Sequence, residues 1–210
     1  MLEVYLFVNP LATQCVRDEQ NVLRLANDSD KQIQFQFVPL LNINVVSRAL
    51  KCQGIQASNW QAQNKQSQTL YRVILDYKAA LFQGKKRGRN FLIALQAAML
   101  KAQQRYSEAL VKQVAQDCQI DLDMFMEDRD SQLAKQAFQA DQRLASEMNI
   151  TEASSAVVFD CDRYDYGVLL EHFNYTTLLD LVNGQLDPFH EVTRQASANA
   201  GSTTAQLHVL

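Results

Sequence analysis

The first residue that could do chemistry is a cysteine between a hydrophobic run and a polar segment. Cys15 ends the stretch NPLATQC, which follows the run EVYLFV. Thiol–disulfide exchange needs one thiolate that attacks and a second thiol that resolves the mixed disulfide. An attacking thiol is activated at a helix N-terminus, where free N–H groups favour the thiolate. Cys15 is the only thiol in this stretch, so the stretch supplies at most one of the two.

The other side chains that could act as nucleophiles, bases or metal ligands are scattered along the chain. They form no C-x-x-C motif and no spacing typical of a metal site: Cys52, Cys118, Cys161, His172, His190 and His208. A lone histidine such as His172, on a predicted strand, is interpreted as a surface residue rather than a base. The sequence HEV at 190–192 lacks the second histidine of a zinc-protease helix. We therefore expect no metal ion and no cofactor.

Composition and charge narrow the class of protein. The chain has 210 residues, 47% of them hydrophobic and 20% charged, which is typical of a globular protein with one sizeable core. The net charge of −3 gives no reason to expect nucleic acid as a partner. No apolar stretch approaches the roughly 20 residues needed to cross a bilayer, and MLEVYLFVNP lacks the basic segment of a signal peptide. These features predict a cytoplasmic protein.

The first 40 residues predict a strand, a helix and a second strand. Residues 3–8 form a nearly continuous apolar run, as in a strand covered on both faces. Residues 13–26 carry a weaker helical pattern. In residues 32–37, glutamine alternates with isoleucine or phenylalanine, which indicates a strand with one buried face, and Pro39 ends it. The order is that of a βαβ unit.

The next hundred residues are predicted to be helical. Between residues 45 and 148 there is no proline and little alternation of polar and apolar residues. Side chains that can cap the starts of these helices are Ser107, Asp121, and either Asp130 or Ser131. The aromatic residues and methionines of this block are interpreted as core: Tyr71, Tyr77, Phe91, Met99, Met124 and Phe125.

A basic cluster interrupts this block. The segment GKKRG at 84–88 separates a helical pattern that ends near Leu81 from the predicted helix NFLIALQAAMLKAQQR. Its cations are Lys85, Lys86, Arg87 and the adjacent Arg89. They are interpreted either as a solvated loop between two helices or as a contact for an acidic partner, whose binding would depend on salt.

The sheet pattern returns after the helical block. Residues 154–160 and 166–173 predict two short strands joined by the turn CDRYD, and Asn174 can cap a final helix that ends at Gly184. The tail after this helix is small, polar and weakly patterned, so we expect it either to be mobile or to be ordered only by a neighbour. The predicted domains are a discontinuous sheet domain (1–42 and 149–186), a helical insertion (43–148) and a C-terminal tail (187–210).

The order of these elements resembles that of the DsbA-like branch of thioredoxin folds. YLFVNPLATQC is similar to the opening of that branch, where a strand leads into Asp-Pro and C-x-x-C. More narrowly, Phe7, Pro10, Leu11 and Cys15 resemble the F-x-D-P-L-C-x-x-C opening of the cytoplasmic ClpXP adaptors that deliver the regulator Spx for degradation. The resemblance covers residues 3–184. It implies an α/β, thioredoxin-like (DsbA-like) fold with a large all-helical insertion.

The sequence departs from that family at the residues that carry its redox chemistry. By the resemblance, Ala12 occupies the place of the attacking cysteine, so the C-x-x-C is degenerate, and Asn9 replaces an aspartate. The cis-proline that faces the thiols in the family falls on Ser154, or on Ser155 if the register slips by one. We therefore expect no catalytic residue at Ala12, Cys15 or Ser154.

Two classes of function remain. The resemblance implies a redox-inactive adaptor that binds proteins, with a Spx-like regulator or the Clp protease as partner, and homodimerisation stays open. The alternative is a thiol–disulfide oxidoreductase or isomerase, or a glutathione-linked enzyme, that works through Cys15 alone. Cys15 is interpreted as a buried small residue in the first case and as a reactive thiol in the second. A third interpretation is a scaffold whose interface lies on the helical block.

Overall fold

A computed structural model describes residues 2–163, 165–186 and 206–209. The chain forms two compact units. The described residues of the first lie within Met1–Val8, Arg17–Val38 and Glu152–Leu210, and those of the second lie within Asn9–Val16 and Pro39–Thr151. The domain boundaries predicted from the sequence remain a prediction.

Strands belong mainly to the first unit and helices mainly to the second. The strands are β1 (Leu2–Val8), β2 (Ile33–Pro39), β3 (Ser155–Asp160), β4 (Gly167–Glu171) and β5 (Gln206–Val209). The helices are α1 (Thr13–Asp28), α2 (Ile43–Cys52), α3 (Trp60–Phe82), α4 (Lys85–Gln96), α5 (Glu108–Asp117), α6 (Leu122–Asp128), α7 (Gln132–Glu147) and α8 (Tyr175–Asn183). A π-helical turn, Ala97–Lys101, follows α4.

The strands form one sheet in the order β2-β1-β3-β4-β5. Strand β3 pairs antiparallel with β1, with Phe7 opposite Ser155, and antiparallel with β4, with Ser155 opposite Glu171. The runs of apolar residues in β1 and β3 are buried, as expected for strands covered on both faces. The thioredoxin-like fold class with a helical insertion, predicted from the sequence, is confirmed.

Part of the C-terminal tail forms a strand. Residues 206–209 form β5, which pairs antiparallel with β4 so that Val168 lies opposite Val209. Of the two alternatives for the tail, order supplied by a neighbouring element applies to these residues. A strand this short is stabilised by its hydrogen bonds with β4. It has no clear alternation of polar and apolar residues, so the sequence alone did not predict it. The rest of the tail lies outside the described residues.

Most predicted helix ends are confirmed. Ser107 and Asp121 cap α5 and α6 by accepting hydrogen bonds from the N–H groups of Leu110 and Met124. Of the two alternatives before α7, Ser131 is the cap. Asn174 caps α8, and Gly184 ends it in the left-handed conformation, with φ of 74°.

Two predictions in the helical block are wrong. The segment 84–88 is not a loop, because α4 begins at Lys85 and only Gln83 and Gly84 interrupt the helices. The helix predicted to continue through residue 105 stops being α-helical at Gln96, and residues 97–101 form the π-helical turn. The wider turn is closed by a bond from the N–H of Ala102 to the carbonyl of Ala97, five residues back.

The helical unit has an apolar core and two buried charged groups. Its core includes Phe91 and Phe125, as predicted, whereas Met124 is exposed. One charged group is the ion pair of Lys78 and Asp141. The second is a network in which Asp76 accepts hydrogen bonds from the guanidinium of Arg129 (2.7 Å) and from the hydroxyl of Tyr106 (2.6 Å). Buried charges of this kind are stable only when they are paired and hydrogen-bonded.

Candidate functional site

The turn that precedes α1 is organised by Asn9. Its backbone N–H donates a hydrogen bond to the sulfur of Cys15 (3.2 Å), and its side-chain oxygen accepts one from the N–H of Leu11 (2.9 Å). Its carbonyl accepts a third hydrogen bond, from the N–H of Ala12 (3.0 Å). This is an Asx-type turn, in which a short polar side chain replaces backbone partners. Asn9 is therefore a structural residue of the segment 9–15, which leads into α1 and is called the helix entrance below. The family resemblance had indicated an aspartate at this position.

The helix entrance offers no accessible thiol. Ala12, the position of the attacking cysteine by resemblance, is half-buried, and Thr13 and Gln14 are exposed. Cys15 lies inside the first turns of α1 and is only 1% exposed. A thiol must be reached by its target sulfur before exchange can occur, so burial of Cys15 opposes its use as a nucleophile.

The other cysteines lie elsewhere and are all free thiols. Cys52 and Cys161 are exposed, and Cys118 is half-buried. Burial, with a smaller effect from Asp117, raises the pKa of Cys118. A raised pKa reduces the thiolate fraction at neutral pH, so Cys118 is a poor nucleophile.

Ser154 stands immediately before β3 and holds a strained conformation. Its φ is 71°, in the left-handed region that favours glycine. The N–H of Ser154 donates to the carbonyl of Phe7 (2.8 Å), and its hydroxyl donates to a carboxylate oxygen of Asp18 (2.6 Å). Every peptide bond in the described part of the chain is trans. Ser155 is the first residue of β3, and its hydroxyl donates to the carbonyl of Glu152.

Asp18 is a partner of Ser154 that the sequence did not predict. It is buried, and its carboxylate accepts the hydrogen bond from Ser154. A signal existed in the polar run between Val16 and Val22, which weakens the helical pattern at a position that faces the interior. A buried carboxylate that accepts a short hydrogen bond fixes the hydroxyl of its partner in one orientation.

The remaining predicted residues are placed separately. Lys85, Lys86 and Arg87 are exposed in the first turn of α4, and Arg89 is half-buried in the next turn. The predicted strand that was to contain His172 ends at Glu171, and His172 is exposed with φ of 53°. His190 lies outside the described residues. Among the described residues, no group of three or more histidine, cysteine, aspartate or glutamate side chains could hold a metal ion.

The helical unit contains a small cavity in which the side-chain amide of Gln142 is already hydrogen-bonded to the backbone. It has a volume of about 240 Å³ and lies beside Leu40, Gln142 and Ile150. The amide of Gln142 donates to the carbonyl of Pro39 (2.8 Å) and accepts from the N–H of Leu41 (3.2 Å). Because this amide is already hydrogen-bonded to the backbone, it is not available to orient a ligand.

None of the helices in the described residues is both long enough and apolar enough to span a membrane.

Comparison with known proteins identifies the family. The thioredoxin family model matches residues 5–180. The chain is 26% identical to the ClpXP adapter protein SpxH of Staphylococcus saprophyticus (81% of this chain, 60% of that protein) and 28% identical to SpxH of Bacillus cereus (89% and 71%). It thus spans between three fifths and three quarters of these two relatives. Among solved structures, it is similar to a thioredoxin-like oxidoreductase of Silicibacter pomeroyi, with a TM-score of 0.57, 16% identity, and coverage of 88% and 86%. The chain belongs to the DsbA-like thioredoxin-fold family.

Proposed function

We propose that this protein is a cytoplasmic adaptor that binds another protein and does no dithiol chemistry. The observation that carries the proposal is the burial of Cys15 at the helix entrance. By the family resemblance, Ala12 takes the place of the attacking thiol. Similarity to proteins named ClpXP adapter SpxH supports a Spx-like regulator as the bound protein and the Clp protease as its destination. These partners are part of the proposal.

An adaptor of this kind acts by proximity. It holds a substrate protein near the protease, so that the local concentration of the substrate rises without any change in covalent bonds. Such a mechanism needs surfaces for recognition and a stable scaffold, and it needs no accessible thiol. The left-handed Ser154, held by Phe7 and Asp18, then serves to fix the scaffold rather than to receive a substrate disulfide.

A degradation assay tests this proposal. Purified ClpXP and the Spx-like protein of the same organism are incubated with and without the chain, and loss of the Spx-like protein is followed with time. We expect the chain to accelerate degradation, and we expect Cys15→Ser to do so within twofold of the natural chain. Degradation that the chain leaves unchanged, together with no binding of the Spx-like protein in a pull-down, would remove the adaptor assignment.

The alternative enzyme is tested on the same residue. The DsbA-like fold supports a thiol–disulfide oxidoreductase, but at the helix entrance that activity would have only the buried Cys15 to use. An insulin-reduction assay with dithiothreitol as reductant, run on the natural chain and on Cys15→Ser, separates the two. The adaptor proposal expects both proteins to match the rate without added protein. Turnover that disappears in Cys15→Ser would establish the enzyme instead.

A further inference from the structure

One surface of the helical unit combines exposed apolar side chains with exposed cations. We call it the junction surface, and its residues are Phe82, Lys85, Lys86, Arg87 and Met124. Phe82 is the last residue of α3 and is 38% exposed, and Met124, in the first turn of α6, is 55% exposed. The three cations occupy the first turn of α4. Exposed large apolar side chains beside cations are typical of protein-binding surfaces.

Hydrogen bonds and close packing hold the three helix ends together. The side-chain amide of Gln83 donates to the carbonyl of Asp121 (2.9 Å) and accepts from its N–H (2.7 Å). The carboxylate of Asp121 in turn accepts from the N–H of Met124 (3.0 Å). Helix α4 approaches α3 closely at Gly88, where an added Cβ would lie 2.8 Å from the Cα of Leu81. The junction surface is therefore prearranged, which lowers the entropy lost on binding.

The cations of the junction surface do not stabilise the fold. The first turn of α4 contains no acidic residue, and Gly84 before it provides no side-chain cap. Positive charge at a helix N-terminus opposes the helix dipole. Within the described ranges, no ion pair includes Lys85, Lys86 or Arg87. Carboxylates from outside the chain would favour this helix end, because they are attracted both by the cations and by the free N–H groups.

We propose that the junction surface binds a segment of a protein partner in which carboxylates lie beside an apolar side chain. This rests on the proposed adaptor function and names the chemistry of the partner. The two exposed apolar side chains, Phe82 and Met124, favour a protein over nucleic acid, because a phosphate backbone offers no apolar group to cover them. The net charge of −3 also disfavours a long polyanion.

Two probes test the junction surface. The first is the Spx-like protein of the same organism. The second is a synthetic helical peptide with glutamates on one face and leucines on the other, and its affinity is measured calorimetrically at low and high salt. The test variant is Lys85→Glu with Lys86→Glu and Arg87→Glu. The matched control reverses three other exposed cations of the unit, Lys51, Lys65 and Arg105, and so changes the net charge by the same amount.

We expect the test variant to weaken binding of the peptide and of the Spx-like protein at least tenfold, and the control to change it less than twofold. We also expect Met124→Ala to weaken binding about fivefold, and the affinity of the natural chain to fall as salt rises. Circular dichroism verifies that each variant is folded. Met124→Ala changes no charge, so it reports on the surface even if the triple variant unfolds.

The outcomes separate the two proposals. If the Spx-like protein binds the test variant with the same affinity as it binds the natural chain, the proposal for the junction surface is wrong, whereas the proposed adaptor function stands. If the natural chain binds the peptide with the expected variant pattern but not the Spx-like protein, the surface stands and the proposed partner falls. If neither probe binds the natural chain, the proposal for the junction surface is overturned. A test variant that only dissociates a dimer in sedimentation velocity also overturns it, because the occupant is then a second copy of the chain.

Discussion

The ion pair of Lys78 and Asp141 gives the sharpest test of how the helical unit is stabilised. The two side chains lie on α3 and α7 and are 6% and 5% exposed. Burial raises the pKa of Asp141 to about 6, and Lys78 lowers it by less than burial raises it. The lysine therefore only partly offsets the loss of hydration. We predict that Lys78→Met with Asp141→Leu, which replaces the pair by apolar side chains, stabilises the fold at neutral pH.

The magnitude follows from the pKa of Asp141. An increase from its ordinary value of 3.8 to about 6 corresponds to about 3 kcal/mol, since one pKa unit equals 1.36 kcal/mol. Because the pKa is higher in the folded chain than in the unfolded chain, the folded chain binds more protons between pH 4 and 6. The free energy of unfolding therefore falls, by up to about 3 kcal/mol from this group, as pH rises through that window. Above pH 6 the whole contribution is lost.

Urea unfolding at pH 4 and pH 7 measures this effect. Relative to the natural chain, we expect the double variant to gain up to about 3 kcal/mol of stability on going from pH 4 to pH 7. Asp141→Ala alone should cost about 3–5 kcal/mol, because Lys78 is left charged and unpaired. A control that removes the exposed pair Glu108 and Lys112 should leave the difference between the two pH values nearly unchanged, because exposed ion pairs are screened by solvent. A double variant whose stability relative to the natural chain is the same at both pH values would refute the reasoning.

Three further predictions concern the site and the buried ion network. In the native protein, Cys15 should react with a chromogenic disulfide only as fast as the chain unfolds, and rapid modification before unfolding would contradict its burial. Ser154→Ala should lower the free energy of unfolding by about 1–3 kcal/mol, because the carboxylate of Asp18 loses the hydrogen bond from the Ser154 hydroxyl. Ser154→Gly should cost less, since glycine adopts φ of 71° without strain, and an equal loss would show that the strain is negligible. Tyr106→Phe should cost about 1.5–3 kcal/mol in urea unfolding by removing the hydroxyl bonded to Asp76, and a neutral effect would mean that the network is dispensable.

Local signals in the sequence predicted the elements well. Capping is decided within four residues, so Ser107, Asp121 and Asn174 could be identified without knowledge of the fold. The same reasoning failed at the start of α4, because Gly84 and Gly88 resemble two helix breakers. Only Gly84 interrupts the helix. Gly88 lies within α4, where the absence of a side chain allows contact with Leu81, and that requirement depends on tertiary packing.

Interactions between distant residues could not be predicted. Lysine and aspartate are usually exposed, so nothing in the sequence indicated that Lys78 and Asp141 are buried. Their burial depends on how α3 packs against α7. The role of Asp18 likewise depends on Ser154, which is 136 residues away in the chain. For the helix entrance, the sequence supplied the residue types, Ala12 and Cys15, whereas the hydrogen bond from Asn9 to the sulfur of Cys15 required coordinates.

Strand β5 has a consequence for the solubility of the protein. Its four residues, Gln206–Val209, cover the outer edge of β4 through antiparallel pairing. Without β5, the N–H and C=O groups along that edge of β4 would be open to pairing with a strand of another molecule, which is a common route to aggregation. Expression tags or truncations at this end of the chain therefore bear on whether the sheet polymerises, even where they leave the helix entrance and the junction surface intact.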